Sequence, residues 1–139
     1  METWQLVARE CVRDTVARYN HAGDAGRFED MIDCFTGDGE LTVVGGATHR
    51  GHAELRAFFS GVGDTAPGFT HLRHSVTNVL IDVTGPSEAA VRSYFQVITD
   101  IGLDHWGRYH DRFVPVGDRW LLARRSVKTD GYAQGSFFA

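Results

Sequence analysis

Apolar residues return every three or four positions through the first part of the chain. Trp4, Ala8, Cys11, Val12, Thr15, Val16 and Tyr19 form one stripe, which is the spacing of an amphipathic helix. This helix is expected to run to about His21 and to break near Gly23. A shorter helix should follow, with Phe28, Met31, Ile32 and Phe35 inward and Asp24 at its start as the N-cap. The cluster Thr36-Gly37-Asp38-Gly39 reads as a turn, residues 40–44 as a short strand, and Gly45-Gly46 as its end. A third helix is expected over residues 51–60, with Ala53, Leu55, Phe58 and Phe59 inward. Residues 61–68, with Gly63, Asp64 and Pro67, read as a loop.

The pattern then changes to alternation. Strands are expected over residues 70–84, 88–101, 105–116 and 119–130. The connections Gly85-Pro86-Ser87, Gly102-Leu103-Asp104 and Gly117-Asp118 are short, so the strands should form an antiparallel meander. Helices first and sheet second is an α+β pattern, with the helices on one face of the sheet. A strongly curved sheet of this kind closes round its helices and leaves a conical cavity. The tail, with Tyr132, Phe137 and Phe138, is a candidate cover for the cavity mouth or a subunit boundary.

A chain of 139 residues fits a single domain, 1–139. The net charge of −4, without a basic block, argues against nucleic acid as the main partner. No stretch is long and apolar enough to span a bilayer, and the N-terminus lacks the apolar run of a signal peptide. Two cysteines, Cys11 and Cys34, do not make a disulfide framework and read as buried thiols in a reducing compartment. These features together predict a cytoplasmic domain.

The most informative segment for chemistry runs from His71 to Val83. On a strand, His74, Val76, Asn78 and Leu80 would share one face. An imidazole and a carboxamide among aliphatic side chains is the mix of a pocket wall. His74 is therefore a candidate general base, its ordinary pKa lying near working pH. Asn78 is a candidate to orient a substrate carbonyl, or to satisfy backbone groups at a sheet bend. Tyr109 and Asp111 share a strand face, with His110 on the other. Tyr109 is a candidate oxyanion donor. Asp111 is a second candidate acid or base, or the partner of Arg125; Arg125 either binds an anionic group or forms that ion pair. Tyr19 lines the pocket or packs in the core. Metal binding is not indicated: His71 and His74 fall on opposite faces of a strand, His105 and His110 do likewise, and no cysteine cluster is present. No phosphate-binding glycine loop implies a nucleotide cofactor, and no Gly-x-Ser-x-Gly elbow implies a serine hydrolase.

Several patterns, taken in order, carry a family resemblance. They are Tyr19 followed by Asp24; Phe35 with Gly37-Asp38-Gly39; His49-Arg50-Gly51; the segment from His71 to Asn78; Gly107-Arg108-Tyr109-His110-Asp111; and Gly117-Asp118-Arg119-Trp120 leading to Arg125. In these the chain resembles, over almost its whole length, the SnoaL-like branch of the nuclear-transport-factor-two-like superfamily. The resemblance implies a cystatin-like α+β barrel: a cone-shaped antiparallel sheet on N-terminal helices. Within the superfamily, scytalone dehydratase and hexachlorocyclohexane dehydrochlorinase carry a catalytic histidine paired with an aspartate, and His74 and Asp24 match that pair by position. Asp24 would then orient His74, where the local pattern alone makes it a helix cap. The dehydratase has a second active-site histidine on the following strand, where this chain offers Tyr94, Gln96 and Ile98. The dehydrochlorinase has a lysine at the position of Tyr19 and an arginine matching Arg125.

The resulting expectation is a cofactor-independent lyase of dehydratase type, or an isomerase, acting on a small hydrophobic ring compound. His74 would be the base, with Tyr109 or Asn78 steadying negative charge. The alternative is a non-catalytic small-ligand-binding or assembly domain. The resemblance also implies a homo-oligomer, dimer or trimer, joined through the open sheet face, with Trp106, Trp120 and Phe113 as contacts.

Overall fold

The computed structural model describes residues 1–65 and 68–139, with side chains at all of these except 64 and 65. Pro67 thus lies outside the described residues. In chain order the elements are α1 (Thr3–Asp24), α2 (Phe28–Ile32), β1 (Phe35–Val43), β2 (Thr48–Arg50), α3 (Gly51–Thr65), β3 (Leu72–Gly85), β4 (Glu88–Thr99), β5 (Gly102–Val116) and β6 (Arg119–Tyr132). The strands form one curved sheet in the order β2-β1-β6-β5-β4-β3. All neighbours are antiparallel except β1 and β6, which run parallel. This is the expected α+β architecture, with helices on the concave side. The core between helices and sheet contains Val12, Phe35, Leu41, Leu55, Phe59, Ile81, Val91, Phe113 and Leu122.

Several local expectations are corrected. Helix α1 continues through Gly23 to Asp24, so Asp24 does not cap α2. The helix ends there because Gly26, two residues on, takes a left-handed conformation (φ +73°). The Arg27 N–H then donates to the Ala22 carbonyl at 2.8 Å and the Gly26 N–H to the Gly23 carbonyl at 3.1 Å. This is a Schellman ending, which leaves Asp24 in the last helical turn. Helix α3 includes residues 61–65, expected as loop; at Gly63 the ring of Phe28 comes so close that a Cβ would lie 3.0 Å from it. Ala53 is exposed, because the buried stripe of α3 runs through Leu55 and Phe59. The predicted turn at 36–39 is the irregular first half of β1. The β4–β5 turn falls at residues 100–101, ahead of Gly102 (φ +88°), and Asp104 is inside β5 and fully buried.

Two corrections bear on the site. In β4 the buried residues are Ala89, Val91, Ser93, Phe95, Val97 and Thr99, while Tyr94 is exposed. The opposite face carries Glu88, Arg92, Tyr94 and Gln96, so the inward set is the one that holds Val91, Phe95 and Val97. In β3 one extra residue is inserted between Thr77 and Leu80 relative to Tyr94 and Arg92 of β4. Asn78 occupies the bulge with φ +53°, a conformation that asparagine tolerates better than most residues. The bulge inverts the alternation. His74 and Val76 face inward before it, Val79, Ile81 and Val83 after it, and Asn78 and Leu80 are exposed. Phe113 and Trp120 are buried in the core and so are not contacts on an open sheet face.

Candidate active site

Between the concave side of the sheet and the helices lies a cavity of about 590 Å³. Its wall is largely apolar and aromatic, including Phe28, Leu41, Phe58, Phe59, Leu72, Phe95 and Val127. The polar groups on it are few: Tyr19, Asn20, Asp24, His74, His105, Tyr109, Thr129 and Tyr132. An apolar cleft with a handful of converging polar groups is the usual form of a small-molecule site.

Asp24 and His74 meet on this wall. Strand β3 lies at the sheet edge, so every second N–H along it lacks a partner in the sheet. The Asp24 carboxylate takes one of these, accepting from the His74 backbone N–H at 3.1 Å through both oxygens. It also receives the His74 ring nitrogen Nδ1 at 2.6 Å. A carboxylate accepts only, so this contact holds the proton on Nδ1 and leaves Nε2 with its lone pair. Nε2 has no hydrogen-bond partner among the described residues, and the ring lines the cavity. Both side chains stay partly accessible, His74 at 25% and Asp24 at 14%. A carboxylate in the last turn of α1 faces the negative end of the helix dipole, a placement that costs about 0.3–1 kcal/mol. The hydrogen bonds from His74 offset it.

A second carboxylate pair on the sheet has a different character. Asp111 and Arg125 are directly opposed on β5 and β6. They form a bidentate ion pair, Nε to Oδ1 and Nη2 to Oδ2, each at 2.9 Å, with no side-chain exposure on either partner. The guanidinium also lies 3.8 Å from the ring centre of Tyr109 and 4.6 Å from that of Tyr19. Burial acts to lower the Arg125 pKa, but Asp111 outweighs it and pushes it above its ordinary value, so the guanidinium stays charged, while burial pushes the Asp111 carboxyl up against the opposing pull of Arg125. Neither Asp111 nor Arg125 reaches the cavity wall. Of the two alternatives for these residues it is the mutual ion pair that forms, with Arg125 Nη1 buried and without a hydrogen-bond partner among the described residues. Tyr19 and Tyr109 do line the cavity, and burial raises both phenols, which therefore remain neutral. Asn78 is off the wall because of the bulge.

The sequence reading passed over His105. It projects from β5 into the cavity, and its Nδ1 lies 2.8 Å from Asp104 Oδ1. Period-two alternation back from Asp111 and Tyr109 through Gly107 leads to it. Gly107 is required there, since a Cβ would run into the Lys128 carbonyl and the ring of Phe95. Phe95 instead packs on Tyr109, ring centres 4.7 Å apart. The tail reaches the same corner: the Ser136 hydroxyl and the Phe137 N–H donate to Asp104, and Phe138 lies against both His105 and Phe69. Among the described residues no cluster of three His, Cys, Asp or Glu side chains is arranged to hold a metal ion, and no helix is long and apolar enough to cross a membrane.

A curved six-stranded sheet closed over N-terminal helices is the architecture of the cystatin-like, nuclear-transport-factor-two-like class. The chain belongs to the SnoaL-like domain family, whose model matches residues 4–126. Among solved structures it is similar to a candidate scytalone dehydratase from Novosphingobium aromaticivorans DSM 12444. That match has 23% identity and a TM-score of 0.83, covering 96% of this chain and 91% of that one. It is also similar to a protein of unknown function with a cystatin-like fold from Nostoc punctiforme PCC 73102, with 26% identity, a TM-score of 0.77, and 88% and 90% coverage. LinA matches with 17% identity and a TM-score of 0.80, covering 98% of this chain and 96% of that one. No curated protein sequence matches the chain significantly.

Proposed function

We propose that this chain is a cofactor-independent enzyme, a dehydratase-type lyase or an isomerase, acting on a small, mainly hydrophobic ring compound. His74 is the general base. Asp24 orients its ring and stabilises the imidazolium that forms when Nε2 takes a proton from carbon. Tyr109, held neutral at the cavity floor, is the donor available to a developing oxyanion. The observation that carries this reading is the fixing of His74 by three contacts to a single carboxylate, backbone and ring together, with Nε2 left to the cavity. The family membership and the likeness in fold to a candidate scytalone dehydratase and to LinA support it. We further propose that the protein works as a cytoplasmic homo-oligomer.

Native mass spectrometry of the purified protein would identify a co-purifying ligand, and turnover of that ligand would then be measured. Loss of turnover in both His74→Ala and Asp24→Asn is expected. Undiminished turnover in both, or a ligand that is bound and released unchanged, would end the enzyme reading and leave a binding domain.

A further inference from the structure

The cavity holds a second histidine–carboxylate pair, and the sheet sets it level with the first. His74 on β3 is directly opposite Val97 on β4, and Val97 is directly opposite His105 on β5. The two imidazoles therefore stand on the same rung of the concave face, two strands apart, with backbones roughly 10 Å from each other. Both line the cavity.

The two pairs are built differently. His105 is the drier, with 11% of its side chain exposed against 25% for His74. Its carboxylate is completely buried and receives donors from Thr99, Ser136 and the Phe137 N–H besides the imidazole. Those contacts keep Asp104 an ionised acceptor, which holds the His105 proton on Nδ1. Nε2 of His105 then carries a lone pair and has no hydrogen-bond partner among the described residues. Tyr132 and Phe138 lie on the ring at 5.7 and 4.8 Å. An acceptor nitrogen framed by aromatic faces suits a flat ligand that ends in a hydroxyl.

Resting on the reading of this cavity as the substrate site, we propose that His105 Nε2 accepts a hydrogen bond from a ring hydroxyl of the substrate, with Asp104 as its positioning residue. The natural ligand is therefore a phenolic or enolic ring compound, seated by its hydroxyl at His105 while the carbon that loses a proton faces His74. The preference arises because a ligand without a donor would seal Nε2 off from water and leave it unpaired, whereas at the more exposed His74 water can still serve.

The test compares two probes, 2-naphthol and 2-methoxynaphthalene, by isothermal titration calorimetry. They share the ring system and differ in the donor. The wild-type protein is expected to bind the naphthol about tenfold more tightly. His105→Phe should bring the two affinities together, and His74→Ala should keep them apart. Because His105→Phe disturbs a buried network, the wild-type protein labelled with ¹⁵N-histidine supplies a second readout. Nε2 of His105 should resonate as an unprotonated nitrogen and move upfield on adding 2-naphthol but not the ether. Equal affinities in the wild type, a preference that survives His105→Phe, or a His105 carrying its proton on Nε2 would each overturn the proposal. None of these results touches the role of His74, which the turnover of His74→Ala decides separately.

Discussion

Asp24 and Asp111 both reach the interior, one from the end of α1 and the other from β5, and each is hydrogen-bonded to a nitrogen-bearing side chain brought from elsewhere in the chain. Asp24 is bonded to a histidine that remains partly accessible. Asp111 is bonded to an arginine in a fork with no exposure at all. The contrast lies in the partner and the wetting, since the acid is the same. An arginine stays charged at any working pH, so its pair can only hold the sheet together. A histidine can gain and lose a proton, and one nitrogen is left free to do so. The pair proposed for chemistry is thus the one that keeps a nitrogen open to the cavity.

The comparison can be broken from either side. The largest effect is expected at the sealed pair. Asp111→Ala strands the Arg125 guanidinium in a dry site and should destabilise the protein by about 3–5 kcal/mol, enough to unfold many domains of this size. Replacing both partners with apolar residues, Asp111→Leu with Arg125→Met, should restore most of that loss, measured by urea denaturation. If the single variant were as stable as the wild type, the view of this pair as a buried structural fork would fall. At the open pair the order reverses. His74→Ala should lower turnover by about 10²–10⁴-fold while shifting the urea midpoint little. Asp24→Asn should lower turnover as well, since an amide can hold the other tautomer of His74.

These two regions also differ in how far the sequence reveals them. The four long strands were legible, because alternation and short turns speak for themselves. The Asp111–Arg125 pairing was legible as one of two alternatives. The meeting of Asp24 with His74, fifty residues apart, was not readable from local pattern, which makes Asp24 a cap for α2. It depends on a left-handed Gly26 that lets α1 run on to residue 24, and on an edge-strand N–H that a carboxylate can claim. Only the family resemblance pointed to it. Asn78 was misplaced because a single inserted residue reverses every face beyond it, and no composition signal marks the insertion. His105 was within reach, since Tyr109 and Asp111 define its face. The pairing of Asp104 with the tail was not, because it is a contact of the last few residues with a strand some thirty positions earlier.

Acid should separate the polar corners further. Burial lowers the His105 pKa below 6.5, with Asp104 only partly opposing it. Burial works to raise Asp104, but its hydrogen bonds prevail and hold it at about 2 rather than 3.8. Both groups therefore bind protons more readily in the unfolded chain. The stability they contribute is complete above pH about 6.5 and falls on acidification. His105 begins the loss, and Asp104 extends it as the pH drops below about 4 towards 2. Melting temperatures across this range should decline in the wild type, and Asp104→Asn should flatten the acid limb. A wild-type profile with no decline below pH 4 would contradict the burial and bonding assigned to Asp104.

The smallest effect is expected at Asn78, and it tests whether the bulge alone sets the wall. Asn78 is the one non-glycine residue with positive φ among those described, and its side chain is exposed. Asn78→Gly removes no inward contact and relieves the left-handed conformation, so stability and turnover should change by only a few tenths of a kcal/mol. Asn78→Val places a β-branched residue where it resists that conformation, at a cost of about 1–2 kcal/mol. The chain can escape that strain by moving the bulge, which would shift Val79 and Ile81 out of the core, so slippage is opposed by the burial of the very residues that follow. Turnover should survive in Asn78→Val as long as the protein is folded, because His74 lies ahead of the bulge and keeps its face. A large loss of turnover in a folded Asn78→Gly protein would mean that the carboxamide itself touches substrate, and the geometry of β3 described above would have to be revised.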